Sequence, residues 1–145
     1  MKVSRDFTAM HPLLIQCVQT IQRKVIDPYN APFRLFETGR TSDRHHELVS
    51  KGKTTDLISM HLFDLEATPP LYCTAVDYVY FDGKWSWNLR NSTISSWYQL
   101  FGNMVLDVCP ELRWKGLNRT NINYNHFSLK EEFIIENIDK YPCAV

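Results

Sequence analysis

Residues 74–87 read Thr74-Ala75-Val76-Asp77-Tyr78-Val79-Tyr80-Phe81-Asp82-Gly83-Lys84-Trp85-Ser86-Trp87. Side chains alternate across a strand, so Val76, Tyr78 and Tyr80 share one face and Asp77, Val79 and Phe81 the other. Asp82-Gly83 is the strongest short turn signal, because a tight hairpin needs residues that tolerate positive φ. The stretch is therefore expected to form an antiparallel hairpin over Ala75–Trp87. One residue is out of keeping with it. Asp77 is a carboxylate within an apolar strand, and burying it unpaired is costly, so it is expected to serve a site.

Outward from this hairpin the pattern alternates between helix and strand. Leu13, Leu14, Cys17, Val18, Ile21 and Val25 repeat at helical spacing, which predicts a first helix over 9–26, opened by His11-Pro12 and stopped by Asp27-Pro28. Pro32 to Phe36 reads as a strand. Ser42 or Asp43 can cap a short helix running to about Lys51, with Gly52 as its C-terminal cap. Residues 62–72, with Pro69-Pro70, read as a loop. Trp97, Leu100, Phe101, Met104, Val105 and Val108 predict a helix over Ser95–Val108 with that buried stripe. Leu112-Arg113-Trp114 and the neighbourhood of His126-Phe127 read as strands, and residues 129–139 as a last helix. The fold class expected is α+β, a central antiparallel sheet with helices packed on it.

The chain has 145 residues and is expected to form one domain, 1–145. Its formal net charge is zero with histidine neutral, which supplies no electrostatic footprint for nucleic acid or an anionic membrane. No apolar run approaches a membrane span. The first residues lack the apolar core of a signal peptide, so the chain is expected to start in the cytosol. Four cysteines are scattered at Cys17, Cys73, Cys109 and Cys143. Without a C-x-x-C pair, a cysteine zinc cluster is not expected. Cys17 and Cys109 fall in apolar helical patterns and read as small buried hydrophobes; disulfide pairing stays open.

Six segments in order carry a family resemblance. They are Gly39-Arg40-Thr41 with Arg44 and Leu48; Gly52-Lys53-Thr54 with Ser59-Met60-His61; Thr74-Ala75-Val76-Asp77; Asp82-Gly83-Lys84 with Trp87; Arg113-Trp114-Lys115-Gly116; and His126-Phe127-Ser128-Leu129. Together they resemble the zinc D-alanyl-D-alanine carboxypeptidase and L-alanyl-D-glutamate endopeptidase family, whose fold is the Hedgehog/D-Ala-D-Ala-carboxypeptidase type. The resemblance spans roughly residues 30 to 130.

It implies one zinc ion held by His61, Asp77 and His126, two nitrogens and one oxygen with a position left for water. It implies bacterial peptidoglycan as substrate, as in phage endolysins, with action at the cell wall. Arg40 would meet a developing oxyanion or a substrate carboxylate. Ser59 and Trp114 would touch substrate or a ligand. Blander roles stand beside these: a half-buried strand histidine can be a satisfied polar residue, and Arg40 a surface turn residue. His45 and His46 read as solvent-facing, and His11 as structural.

Two departures bear on activity. Fifteen residues separate His61 from Asp77, more than in the family, and Cys73 stands where the family has glycine. The family's general base, three residues before the last histidine, falls here on Asn123, and an amide cannot take a proton at neutral pH. The position thus reads as substituted, with Asp64 or Glu66 of the insertion as replacement bases and Glu131 and Glu132 as more remote ones. Two readings follow. One is a zinc-dependent peptidoglycan peptidase. The other is a non-catalytic relative that binds a partner, such as a host protein. A phage-encoded protein acting in the host cytosol on an enzyme or a nucleotide signal is a weaker third.

Overall fold

A computed structural model describes residues 3–54 and 59–144. Helix α1 (Pro12–Ile21) begins where the sequence predicts, with His11 Nδ1 accepting the Leu13 N–H at 3.1 Å. It does not stop at Asp27-Pro28. A π-helical turn, Gln22–Ile26, passes into the short α2 (Asp27–Tyr29), which ends at Asn30 with φ 47°. Pro28 is accommodated inside this continuous helical run, and asparagine tolerates the left-handed cap.

Strand β1 (Phe33–Glu37) leads to α3 (Ser42–Ser50). The cap of α3 is Thr41, not Ser42 or Asp43: its Oγ1 accepts the Arg44 N–H at 3.1 Å. The expected hairpin is β2 (Ala75–Phe81) and β3 (Trp85–Ser86), with Gly83 at φ 71° in the turn. Helix α4 (Ser92–Val108) starts earlier than Ser95, because Asn91 Oδ1 accepts from Thr93 N and Ile94 N at 3.0 and 3.2 Å. Then follow β4 (Leu112–Trp114), β5 (His126–Leu129) and α5 (Glu131–Glu136), the last shorter than the sequence suggests.

The strands pair antiparallel in the order β1-β2-β5-β4, with β3 on β2. The fold is thus α+β with a central antiparallel sheet flanked by helices. Phe33, Val76, Tyr78, Phe127 and Leu129 bury one sheet face in a core shared with α1 and α4. The buried stripe of α4 is Tyr98, Phe101, Gly102 and Val105, while Leu100 is 52% exposed. The stripe is rotated from the predicted one because Gly102, lacking a side chain, sits directly against the Trp114 indole. No helix among the described residues is long and apolar enough to cross a membrane.

One irregularity positions the site. Leu35 pairs with Tyr78, but Glu37 pairs with Asp77, so β1 carries a bulge between them. An extra residue in one strand re-aims the side chains beyond it. Leu35 packs on the core, and the bulge turns Glu37 to the face of Asp77. On the other side of β2, His126 is directly opposite Asp77. A central carboxylate is thereby flanked by one residue from each neighbouring strand.

Candidate metal centre

His61 arrives from outside the sheet. Its segment is docked by a parallel bridge between Arg40 and Leu62, with Arg40 N donating to His61 O at 2.6 Å and Phe63 N to Arg40 O at 3.3 Å. Ser59 Oγ accepts the His61 N–H at 3.2 Å. The ring is oriented by its Nδ1, 2.7 Å from the Thr38 carbonyl oxygen. A carbonyl only accepts, so Nδ1 carries the proton that bonds it, and Nε2 is the ring atom turned to Asp77 that could ligate a metal.

His61 Nε2 lies 3.4 Å from Asp77 Oδ1, and His126 Nδ1 lies 3.2 Å from the same oxygen. The three donor atoms all fall within 4.8 Å of one another. A tetrahedral zinc with bonds of about 2.0–2.2 Å holds its ligand atoms about 3.4 Å apart. The two nitrogens and one carboxylate oxygen therefore fit a zinc ion with little movement. All three residues are buried.

Their protonation follows from that proximity. Burial opposes charge on His61, but the Asp77 carboxylate outweighs it and holds the imidazole up to about 10. Burial alone would raise Asp77; the His61 charge and the two histidine hydrogen bonds instead hold it below the usual carboxylate range. His126 is pushed down, mainly by burial. The centre is thus a carboxylate with one charged and one neutral histidine.

The donors open into a cavity of about 660 Å³, within the range of small-ligand sites. Arg40, Arg44, Lys51, Lys53 and Lys115 line it, as do Phe36 and Trp87. Arg40 is held by Glu37, Nε to Oε1 at 3.1 Å and Nη2 to Oε2 at 3.0 Å, both residues being buried. Its Nη1 lies 3.3 Å from both His45 Nδ1 and Ser59 Oγ. These contacts fix the guanidinium, which lines the cavity.

Ser59 and Asn123 also line the cavity. Asn123 Oδ1 accepts the Asn125 N–H at 3.2 Å. Asp64 and Glu66 do not line it: Asp64 is bridged to Leu71 and its Oδ1 accepts the Glu66 N–H at 3.1 Å, so these acids shape the inserted loop. Trp114 is also outside the cavity lining. It is packed into the core between Gly102 and Gly116, stacked on Phe127, with its indole N–H on Tyr124 O at 2.9 Å.

The expectation of a site marked by a substituted catalytic-base position, at Asn123, is corrected by what the structure shows. The His61, Asp77 and His126 set is intact, buried and convergent, and suited to hold a metal. His45, read as solvent-facing, is buried beside Arg40.

No family profile and no curated protein sequence matches the chain. Among solved structures, the L-Ala D-Glu endopeptidase ChiX of Serratia marcescens superposes with a TM-score of 0.63 at 25% identity, over 86% of this chain and 84% of that one. The chain is a structural homologue of that endopeptidase. The shared fold includes the sheet that carries Asp77 and His126.

Sequence reasoning missed Glu37 and His45, the buried partners of Arg40, and Lys115 on the cavity wall. Glu37 had one usable signal, its i,i+3 spacing to Arg40. Its orientation depends on the bulge, which no residue type in β1 announces.

Proposed function

We propose that this chain is a zinc-dependent peptidase acting on the peptide stems of bacterial peptidoglycan. The observation that carries the reading is the convergence of His61, Asp77 and His126 at the floor of an open cavity. Homology to an L-Ala D-Glu endopeptidase supports a peptidase of this general kind. The cell-wall substrate is supported by that enzyme's own specificity and by the charge of the cavity.

His61, Asp77 and His126 would hold the ion, which when bound supplies Lewis-acid chemistry. The Thr38 carbonyl fixes the tautomer of His61, so Nε2 needs no reorientation to coordinate. Arg40, held by Glu37 and lining the cavity, would supply a fixed positive donor for the negative charge that develops on a scissile carbonyl oxygen. Ser59 holds both the Arg40 fork and the backbone beside His61. Lys53 and Lys115 on the wall suit a peptide carrying carboxylates, as D-glutamate stems do. Asp64 and Glu66 do not line the cavity and are given no part in this reading. A phage endolysin-like role, with action at the wall, is the biological form of this activity.

The test is digestion of purified intact peptidoglycan, with new amino termini located by mass spectrometry. Cleavage should require zinc, stop on chelation and be absent in His61→Ala. Persistence of cleavage in the chelated protein or in His61→Ala would refute the reading.

A further inference from the structure

On the other side of the sheet, Cys17 of α1, Cys109 at the end of α4 and Glu111 before β4 come together. They offer two sulfurs and one carboxylate oxygen, all within 4.8 Å of one another. Cys109 Sγ lies 3.6 Å from Cys17 O, across 92 residues of chain. Both cysteines are buried free thiols, and Glu111 is half-buried. The sequence gives no spacing signal for the group, because its members come from three separate elements that only the folded core brings together.

We propose that Cys17, Cys109 and Glu111 form a second metal site, for a thiophilic d10 cation such as zinc, which joins α1 to the α4–β4 corner. A tetrahedral zinc with sulfur bonds of about 2.3 Å and an oxygen bond of about 2.0–2.2 Å keeps such donors about 3.5–3.8 Å apart. A spacing within 4.8 Å is close enough for small side-chain rotations to bring the donors to that geometry. The half-buried Glu111 marks the side from which an ion can enter.

The donor set is well suited to cation binding. The Cys109 thiol donates to the Cys17 carbonyl oxygen at 3.6 Å; the neighbouring Cys109 and burial push the Cys17 thiol up, and the Glu111 charge adds to this, whereas the neighbouring Cys17 pulls the Cys109 thiol down. Binding zinc would release two thiol protons and leave two thiolates, one carboxylate and one dication, a net charge of minus one. Lys24 lies near enough to favour thiolate at Cys109 and offsets that charge.

The site faces the helix-packed core containing Cys17, Cys109, Val76 and Phe127, whereas Asp77 and His126 point the other way from β2 and β5. An ion here would not touch substrate. Its role is to fasten two helices on the sheet, and it is independent of the peptidase reading.

The test is cobalt titration of the reduced, metal-stripped full chain, because thiolate-to-cobalt charge transfer absorbs in the near ultraviolet and a His-Asp-His centre does not produce it. A thiolate band should appear, and total binding should reach two ions per chain. Cys17→Ser and Cys109→Ser should each abolish the band; His61→Ala and Cys73→Ser should retain it. Glu111→Gln, at a half-buried position that perturbs folding least, should keep the band but weaken cobalt binding by roughly tenfold or more. Absence of the band in the wild type, its survival in either cysteine variant, or its loss in Cys73→Ser would overturn the proposal. So would a native mass lower by two hydrogens with Cys17 and Cys109 joined, since that pair would then be a disulfide.

Discussion

Replacing Glu37 by glutamine tests whether the buried Glu37–Arg40 pair holds the cavity wall together. The side chains are 5% and 9% exposed, and the two bonds between them are 3.1 and 3.0 Å long. Glutamine keeps the shape and one acceptor oxygen, but removes the charge and turns the other oxygen into a donor facing a guanidinium. Breaking a buried pair from one side leaves an uncompensated charge and costs about 3–5 kcal/mol. The retained acceptor returns about 1 kcal/mol, so about 2–4 kcal/mol should be lost. For a chain of this length that lowers Tm by about 5–12 °C.

Thermal unfolding followed by circular dichroism, with and without zinc, measures the shift. Glu37→Gln/Arg40→Met should recover much of the loss, because both charges are then gone. The exposed Arg113–Glu132 pair, 3.9 Å apart with side chains 66% and 56% exposed, is the control; its removal should leave Tm nearly unchanged. A Glu37→Gln shift below about 2 °C, or strict additivity in the double variant, would refute the argument that Glu37 neutralises Arg40.

Zinc binding near pH 7 should release about one proton per ion at this centre, taken from His61, which Asp77 holds up to about 10. Calorimetry of a Cys17→Ser/Cys109→Ser chain in buffers of different ionisation enthalpy would count it, and a count of zero would contradict the paired state described here. In the metal-free protein, His61 has a folded value above the ordinary 6.5. Its contribution to stability should be complete below about pH 6.5 and decline as pH rises toward 10; denaturant titrations across that window would detect the decline. Gly102→Ala should destabilise by about 1–3 kcal/mol despite alanine's better helix propensity, because the new methyl collides with the Trp114 ring; unchanged stability would show that the ring can move aside. Arg40→Lys should lose most of the peptidase activity while zinc content stays constant, since an ammonium cannot make the fork to Glu37; wild-type turnover would remove Arg40 from the chemistry.

The parts of this molecule written in short-range pattern are visible in its sequence. Alternation over Ala75–Phe81 and the Asp82-Gly83 turn predict β2 and β3. Asp77 stands out there as a charge that an apolar strand would not otherwise carry. Features set by packing between distant segments are not visible. The rotation of α4 follows from Gly102 meeting Trp114, two residues with no shared periodicity. The burial of His45 follows from the position of Arg40, and Arg40 is fixed by Glu37, which the β1 bulge turns inward. Trp114 illustrates the same limit from the other side. Its motif resembles one near a substrate cleft, yet two glycines draw its ring into the core.

The centre also explains how such a set of polar groups can be buried before any metal arrives. Asp77 would be costly alone beneath the cavity floor. His61 carries a compensating positive charge, its Nδ1 satisfied by Thr38 and its Nε2 near Asp77, while neutral His126 bonds the same carboxylate. The charges of His61 and Asp77 are therefore matched without the ion. Zinc then exchanges one proton for two positive charges at nearly the same point, and the ligands move by little. A site built this way does not need its metal in order to fold, unlike small domains whose folding is metal-driven. The metal-free protein should accordingly show the same cooperative unfolding as the loaded one, with Tm lower but finite. A metal-stripped chain lacking any unfolding transition would show instead that the ion organises the sheet.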